Sequence, residues 1–466
     1  MSCFLLYACY LYGNSLLVRL SFQRAKGLLA TSFSLSLGFV LLQFYNSILF
    51  YALSSSFSFW LFVAPSLFKL FLTSRFISSY SRPRVAIRCI AIFLSPLLPR
   101  IRQINVLLAA ESLIIILYFL SSFIPNTSGD SLDYHLGLPR LLLHANSYDP
   151  TWYSSLLSLE GERLTAFFLG NQLDWFPQAL QFLAVINFYY LLKHICCAAQ
   201  VGSASSAITS YGIKILSLLP LTFLTSPVLL FLTQTAKPEL FPCSVLTLSS
   251  FAYAQLYYMG KLKAFSLRDA VYVSAVLAYC CTTKYSFVPV SLILLIIYSV
   301  ACISLVSGKL RSLRYVIRAS IFLFLRSLLV QFVIVLLIIL PVMVHRFNFF
   351  WPDAQFISLL PVRLDSVEFF SWIKDYKESS LPFPFYLFLP SRLANLTSLL
   401  GIYPLVALLI FRPRQAVLFT FLGFIIVFSF ISPPSTRFYF DLINPLIAIL
   451  SADFLYRAPA TSPASS

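Results

Sequence analysis

The stretch Ser128–Pro150, SGDSLDYHLGLPRLLLHANSYDP, gathers Asp130, Asp133, His135, His144 and Asp149 in a chain of 466 residues that holds only 16 acids and 4 histidines. Carboxylates and imidazoles grouped in this way can take a proton from a hydroxyl or hold a divalent cation. Asp130 and Asp133 lie three apart, and His135 follows two further on. A helix starting near Ser131 would take Asp130 as its cap and set Asp133 against its positive end, which accounts for both acids without any chemistry. The other reading is a carboxylate held at a lipid–water boundary. There, partial desolvation raises its pKa or neighbouring cations lower it, and it serves as a general base or a metal ligand.

The elements that must position these residues are apolar. The chain is 59% hydrophobic and 11% charged, whereas ordinary soluble chains are about a quarter charged. Runs near the ~20 residues needed to cross a bilayer recur along the whole length. They cover Leu28–Leu49, Tyr51–Leu72, Val106–Ile124, Phe176–Leu192, Ile215–Leu232 and Leu240–Tyr258, then Ala270–Thr283, Tyr285–Val306, Ser327–Val344, Leu396–Phe411, Ala416–Ile431 and Phe438–Tyr456. These predict an all-α polytopic membrane protein of about twelve spans, eleven to thirteen, because solid apolar runs suit helices and a barrel needs short alternating strands. The opening MSCFLLYACYLYGNSLLVRL lacks a basic start and reads as a marginal span, not a signal peptide.

The net charge is +17, but the basic residues fall between apolar runs, where they set orientation and meet anionic headgroups. Nucleic acid is therefore not an expected partner. Lys26, Arg84, Lys193, Lys261, Arg268, Lys309, Arg318 and Arg412 all fit one cytoplasmic side, with the runs alternating between them. The loop Asn126–Trp175 then lies on the opposite side. It carries Asp130, Asp133, Asp149, Glu160, Glu162 and Asp174, with Arg140 and Arg163 as its only basic residues. Lys237 and Glu239, Lys284, Arg346 and Arg437 sit in connections predicted on that same side. For any one of these cations, snorkelling to headgroups is the ordinary role. Lys284 stands out because it lies between two apolar runs, where a charge is costly, and Glu111 is costly in the same way unless paired or near the cytoplasmic interface. The nine cysteines show no metal-type spacing and read as small hydrophobes.

GDSLDYHLGLPR resembles a pattern in bacterial membrane glycosyltransferases of the GT-C superfamily, in the protein mannosyltransferase and aminoarabinose-transferase group. The matching residues are Asp130, Tyr134, His135, Leu136 and Pro139. LTQTAKPELF (Leu232–Phe241), RFNFFWP (Arg346–Pro352) and TRFYFDLINP (Thr436–Pro445) resemble further segments of that family. The chain departs from it in having Ser131 where a second acid is common, and in its extra spans before the first outer loop.

The resemblance implies a GT-C-like fold with a large first catalytic outer loop. Residues 1–105 would be an N-terminal hairpin with a basic cytoplasmic or interfacial segment. Residues 106–456 would be the transmembrane catalytic domain with outer loops 126–175 and 345–392, and 457–466 a disordered tail. It implies sugar transfer from a polyprenyl-phosphate donor to a glycan, lipid or protein hydroxyl, among membrane lipids, in a bacterial inner membrane with the site facing the periplasm. Asp130 is the implied general base, assisted by Asp133 and His135. Tyr134, Lys237, Glu239, Lys284, Arg346 and Arg437 are the implied substrate-binding residues. A divalent metal ion is left open as a cofactor, with Asp130 and Asp133 as its candidate ligands. The rival readings are a transporter or flippase, which calls for mid-span charges and an internal repeat not seen here, and an O-antigen-polymerase-like enzyme.

Overall fold

The structure is a computed structural model. It describes residues 1–19, 27–50, 53–76, 106–124, 131–145, 159–202, 210–262, 266–307, 313–357, 360–362, 380–392, 396, 399–411, 413, 415–431 and 435–456. Residues 77–105 with most of the predicted basic segment, Asp130, residues 358–359 and 363–379 of the second outer loop and the tail 457–466 lie outside the described residues.

Each apolar run corresponds to a helix or a helix pair. In chain order these begin with α1 (Ser2–Arg19), α2 (Leu28–Leu49), α3 (Ser55–Phe76) and α4 (Val106–Ser121). The described part of the first outer loop is largely helical. It holds a π-helical turn (Ser131–Gly137), α5 (Leu138–Ala145) and α6 (Glu160–Gly170). Then come α7 (Phe176–Gly202), α8 (Ser210–Leu224), α9 (Pro227–Thr233), α10 (Leu240–Tyr258), α11 (Leu267–Thr283) and α12 (Phe287–Ser307). The chain closes with α13 (Leu313–Phe350), α14 (Tyr403–Phe411), α15 (Gln415–Ile431) and α16 (Thr436–Tyr456). One antiparallel hairpin, Gln355–Ile357 with Leu360–Val362, interrupts the helices.

Among the described residues, five helices (α2, α7, α12, α13 and α16) are long and apolar enough to cross a membrane, and the pair α8–α9, bent by 43°, makes a sixth if counted as one span. The chain is a helical membrane protein.

Several boundaries differ from the sequence reading, and three of the differences have a local reason. α11 starts at Leu267, ahead of the predicted Ala270, because Ser266 Oγ accepts the Asp269 N–H at 3.2 Å and caps the helix. α13 runs on through Arg346 to Phe350, into what was expected to be loop, because HRFNFF contains no breaker; the helix stops before Trp351, which precedes a proline. α14 starts at Tyr403, seven residues after the predicted Leu396, because Gly401 takes a positive φ of 74°.

The first hairpin does not stand apart from the rest. α2 is packed among α1, α6, α7, α10, α11 and α13. On α7, the buried Asn187 amide donates to Ser36 Oγ of α2 at 2.9 Å and to Ser244 Oγ of α10 at 3.0 Å, while Ser32 donates to its carbonyl oxygen. Side-chain amides and hydroxyls are common glue between membrane helices, at about 0.6–2 kcal/mol each. Glu111 of α4 is paired as its position demands: Lys193 Nζ lies 2.6 Å away and Tyr189 Oη donates to it at 3.2 Å.

α1 crosses α2 at two glycines. A Cβ on Gly38 would fall on the Cys9 backbone, and one on Gly13 on the Ser34 carbonyl. Backbone cannot yield as a flexible side chain does. Gly38→Val is therefore expected to cost about 1–3 kcal/mol, read as a lowered Tm in detergent. Gly423→Val, where an added Cβ meets nothing, should leave Tm unchanged.

Candidate functional site

α6 is the keystone of the outer end. Glu162, in its first turn, accepts the Leu159 N–H at 3.0 Å and holds His135 Nδ1 at 2.9 Å, so one carboxylate caps the helix and fixes the π-helical turn. Glu160 pairs with Arg163 and accepts from Ser47 of α2. Asn46 donates to the Arg163 carbonyl at 3.3 Å. All of these acids and bases are buried.

Gly161 explains how α6 comes so close to its neighbours. A Cβ there would lie 2.7 Å from Pro238 Cγ and 3.1 Å from the Thr283 carbonyl. The contact brings Pro238, between Lys237 and Glu239, and the end of α11, next to Lys284, against the start of α6. From α2, Gln43 donates to Thr283 Oγ1 at 2.8 Å.

Lys284 caps α11 and forms an ion pair with Glu239 at the head of α10. The Phe438 ring gathers two cations, with Lys284 Nζ 6.0 Å and Arg437 Cζ 5.0 Å from its centroid. Lys237 Nζ lies 5.2 Å from the Phe231 centroid. Asp441 is buried one turn beyond Arg437 on α16. Arg346 is wholly buried near the end of α13, and its charge and that of Arg163 both act on Tyr285.

The electrostatics follow from burial. Loss of solvent pushes His135 down to about 4, with Glu162 pulling the other way and Lys284 and Lys237 adding to the fall. The imidazole is therefore neutral near pH 7. Burial, then the charges of Arg437 and Lys237, push Lys284 well below the ordinary lysine range, while Asp441 and Glu162 pull it back. Burial likewise raises the Glu160 carboxyl against the pull of Arg163. Cations outnumber carboxylates among the described residues of the cluster: Arg163, Lys237, Lys284, Arg346 and Arg437 against Glu160, Glu162, Glu239 and Asp441.

Over residues 87–455 the chain matches the DUF1420 N-terminal domain. The chain belongs to the DUF1420 family. No curated protein and no solved structure matched it. The matched part of this DUF1420 chain takes in every residue expected at the site, while α1–α3, including the three α2 side chains that reach α6 and α11, precede it.

Of those residues, His135, Lys237, Glu239, Lys284, Arg346 and Arg437 are drawn together at one end of the bundle. Lys237, Glu239 and Arg346, expected in connections on the outer side, are almost wholly buried. Lys284, expected among the substrate-binding residues, is engaged by Glu239. Asp130 lies outside the described residues, as do the side chains of Asp133 and Tyr134 on the π-helical turn. Among the described residues no group of three or more His, Cys, Asp or Glu can hold a metal ion. Sequence reasoning counted Glu160, Glu162 and Arg163 in the acidic loop but gave them no role. The signal was the ExER spacing at a helix start, with an acid at the third helical position.

Removing one partner of a buried ion pair costs about 3–5 kcal/mol, and replacing both with neutral residues costs much less. Glu239→Gln leaves Lys284 facing Arg437 and Lys237 and is expected to lower Tm sharply. Adding Lys284→Met to it should restore most of the loss, as measured by thermal unfolding in detergent.

Proposed function

We propose that this DUF1420 protein is a glycosyltransferase of GT-C-like architecture, with about twelve spans, in a bacterial inner membrane. It would move a sugar from a polyprenyl-phosphate donor to an acceptor hydroxyl at the periplasmic face. The observation that carries the proposal is the convergence of Lys237, Lys284 and Arg437 from three separate connections. Burial together is unfavourable for like charges, as the effect of Arg437 and Lys237 on Lys284 reflects. A bound phosphate relieves that repulsion, and the same cations stabilise it as it departs.

In the proposed step Asp130 takes the proton of the acceptor hydroxyl. The freed oxygen attacks the anomeric carbon, and the bond from that carbon to the phosphate oxygen breaks with its electron pair passing to the phosphate. Lys237, Lys284 and Arg437 meet that charge, and Glu239 keeps Lys284 in register. His135, neutral and held by Glu162, positions the acceptor together with Asp133 and Tyr134. Arg346 supports the far side of the pocket. A divalent ion at Asp130 and Asp133 would add charge there, but no step above requires one.

One observation favours a second reading. The 43° break between α8 and α9 is of the kind that transporters use to build a midplane site, so a flippase for a lipid-linked sugar fits the same cations.

Purified protein assayed with a panel of polyprenyl-phosphate sugars separates the two. Transfer that falls about 10²–10⁴-fold in Asp130→Asn, as loss of a general base does, supports the enzyme. Full transfer by Asp130→Asn removes Asp130 from the reaction. Lipid translocation in vesicles without any transfer supports the flippase.

A further inference from the structure

At the other end of the bundle from Lys284, a cavity of about 380 Å³ lies between α10, α11, α12, α15 and α16. Its size falls within the roughly 300–1,000 Å³ of small-molecule sites. α10 starts beside Glu239, and the cavity extends along it as far as Tyr257, Tyr258 and Leu262. At ~1.5 Å per helical residue, most of the length of α10 separates that far end from the cluster. This space is therefore not part of the proposed transfer site, and a ligand held in it does not depend on that function.

Three features define what fits. The lining is chiefly apolar, from residues such as Leu277, Leu294 and Phe424. The mouth includes Val300 of α12, which is 58% exposed on a membrane-spanning helix, and the exposed Thr420 of α15, so the space opens sideways into lipid and not into water. Its far end is polar and basic. Tyr257 Oη and Ser304 Oγ share a hydrogen bond of 2.8 Å there, and the exposed Lys261 and Arg268 stand beside Leu262 and α11.

We infer that this cavity is a lipid site, holding an acyl chain of an anionic glycerophospholipid that enters between α12 and α15. The anionic headgroup rests at the basic end near Lys261 and Arg268. An apolar chain satisfies the walls, and the anionic head matches the charge at the rim. A neutral water-soluble ligand would satisfy neither.

The test uses the full chain in nanodiscs of phosphatidylglycerol and phosphatidylcholine, with a trace of phosphatidylglycerol carrying a diazirine near the end of one acyl chain. After irradiation, labelled peptides are mapped by mass spectrometry. Labelling is expected to concentrate on α10, α12 and α15 residues of the cavity. It should fall at least several-fold in Ala301→Trp, which fills the space. The same diazirine on phosphatidylcholine should label the cavity severalfold less. Labelling of the cavity no greater than that of the lipid-facing side of α13, or labelling unchanged by Ala301→Trp in a protein whose Tm is preserved, would overturn the site. Equal labelling by the two lipids would overturn its preference for an anionic head.

Discussion

The constraint that governs this molecule is that charge buried at the end of a helix bundle must be answered by charge from the protein itself. Water is not there to screen it, and an ion left without a partner would cost several kcal/mol. Glu160 is met by Arg163 and Glu239 by Lys284, while Glu162 is held by hydrogen bonds from the neutral His135 and the Leu159 N–H. The contacts of Glu160 and Glu162 hold the first outer loop together, and Glu239 with Lys284 ties the connection before α10 to the turn after α11.

That docking depends on residues with no chemistry of their own. Gly161 lets α6 approach Pro238 and the end of α11, where any side chain would hold them apart. Gln43, Asn46 and Ser47 line one side of α2 and reach Thr283, Arg163 and Glu160 in turn. α2 in turn is held by Asn187 and by the close crossing with α1. Position thus passes from a glycine crossing, through a polar face on α2, to the charged cluster. α13 contributes differently: most of its apolar length is left exposed, while Arg346 at its far end is completely buried.

Much of this was legible in the sequence because the bilayer imposes a length and a composition. Leu28–Leu49 and Leu240–Tyr258 were read to the residue, and of the two ways open for Glu111, a partner or a place near the interface, Lys193 supplies the first. The gathering of Lys237, Lys284 and Arg437 on one end followed from alternation of the spans. What could not be read was pairing. Lys284 and Glu239 lie 45 positions apart, and nothing local announces that one answers the other. α6 was missed as an element because EGERLTAFFLG is short and opens with three charges, which resembles a loop when its burial is unknown. The polar face of α2 was missed because Gln, Asn and Ser within an apolar run count against a span, when in fact they mark the face turned to the core.

The cluster and the basic span ends must occupy opposite faces of the membrane if the anionic donor is to be met where the acidic loop lies. Thiol labelling in intact cells tests this most directly, with Asp130→Cys and Lys261→Cys each introduced into a chain whose native cysteines are replaced. A membrane-impermeant maleimide is expected to label the Asp130→Cys chain without permeabilisation and the Lys261→Cys chain only after it. Labelling of both from one side, or of the Asp130→Cys chain only after permeabilisation, would contradict this arrangement.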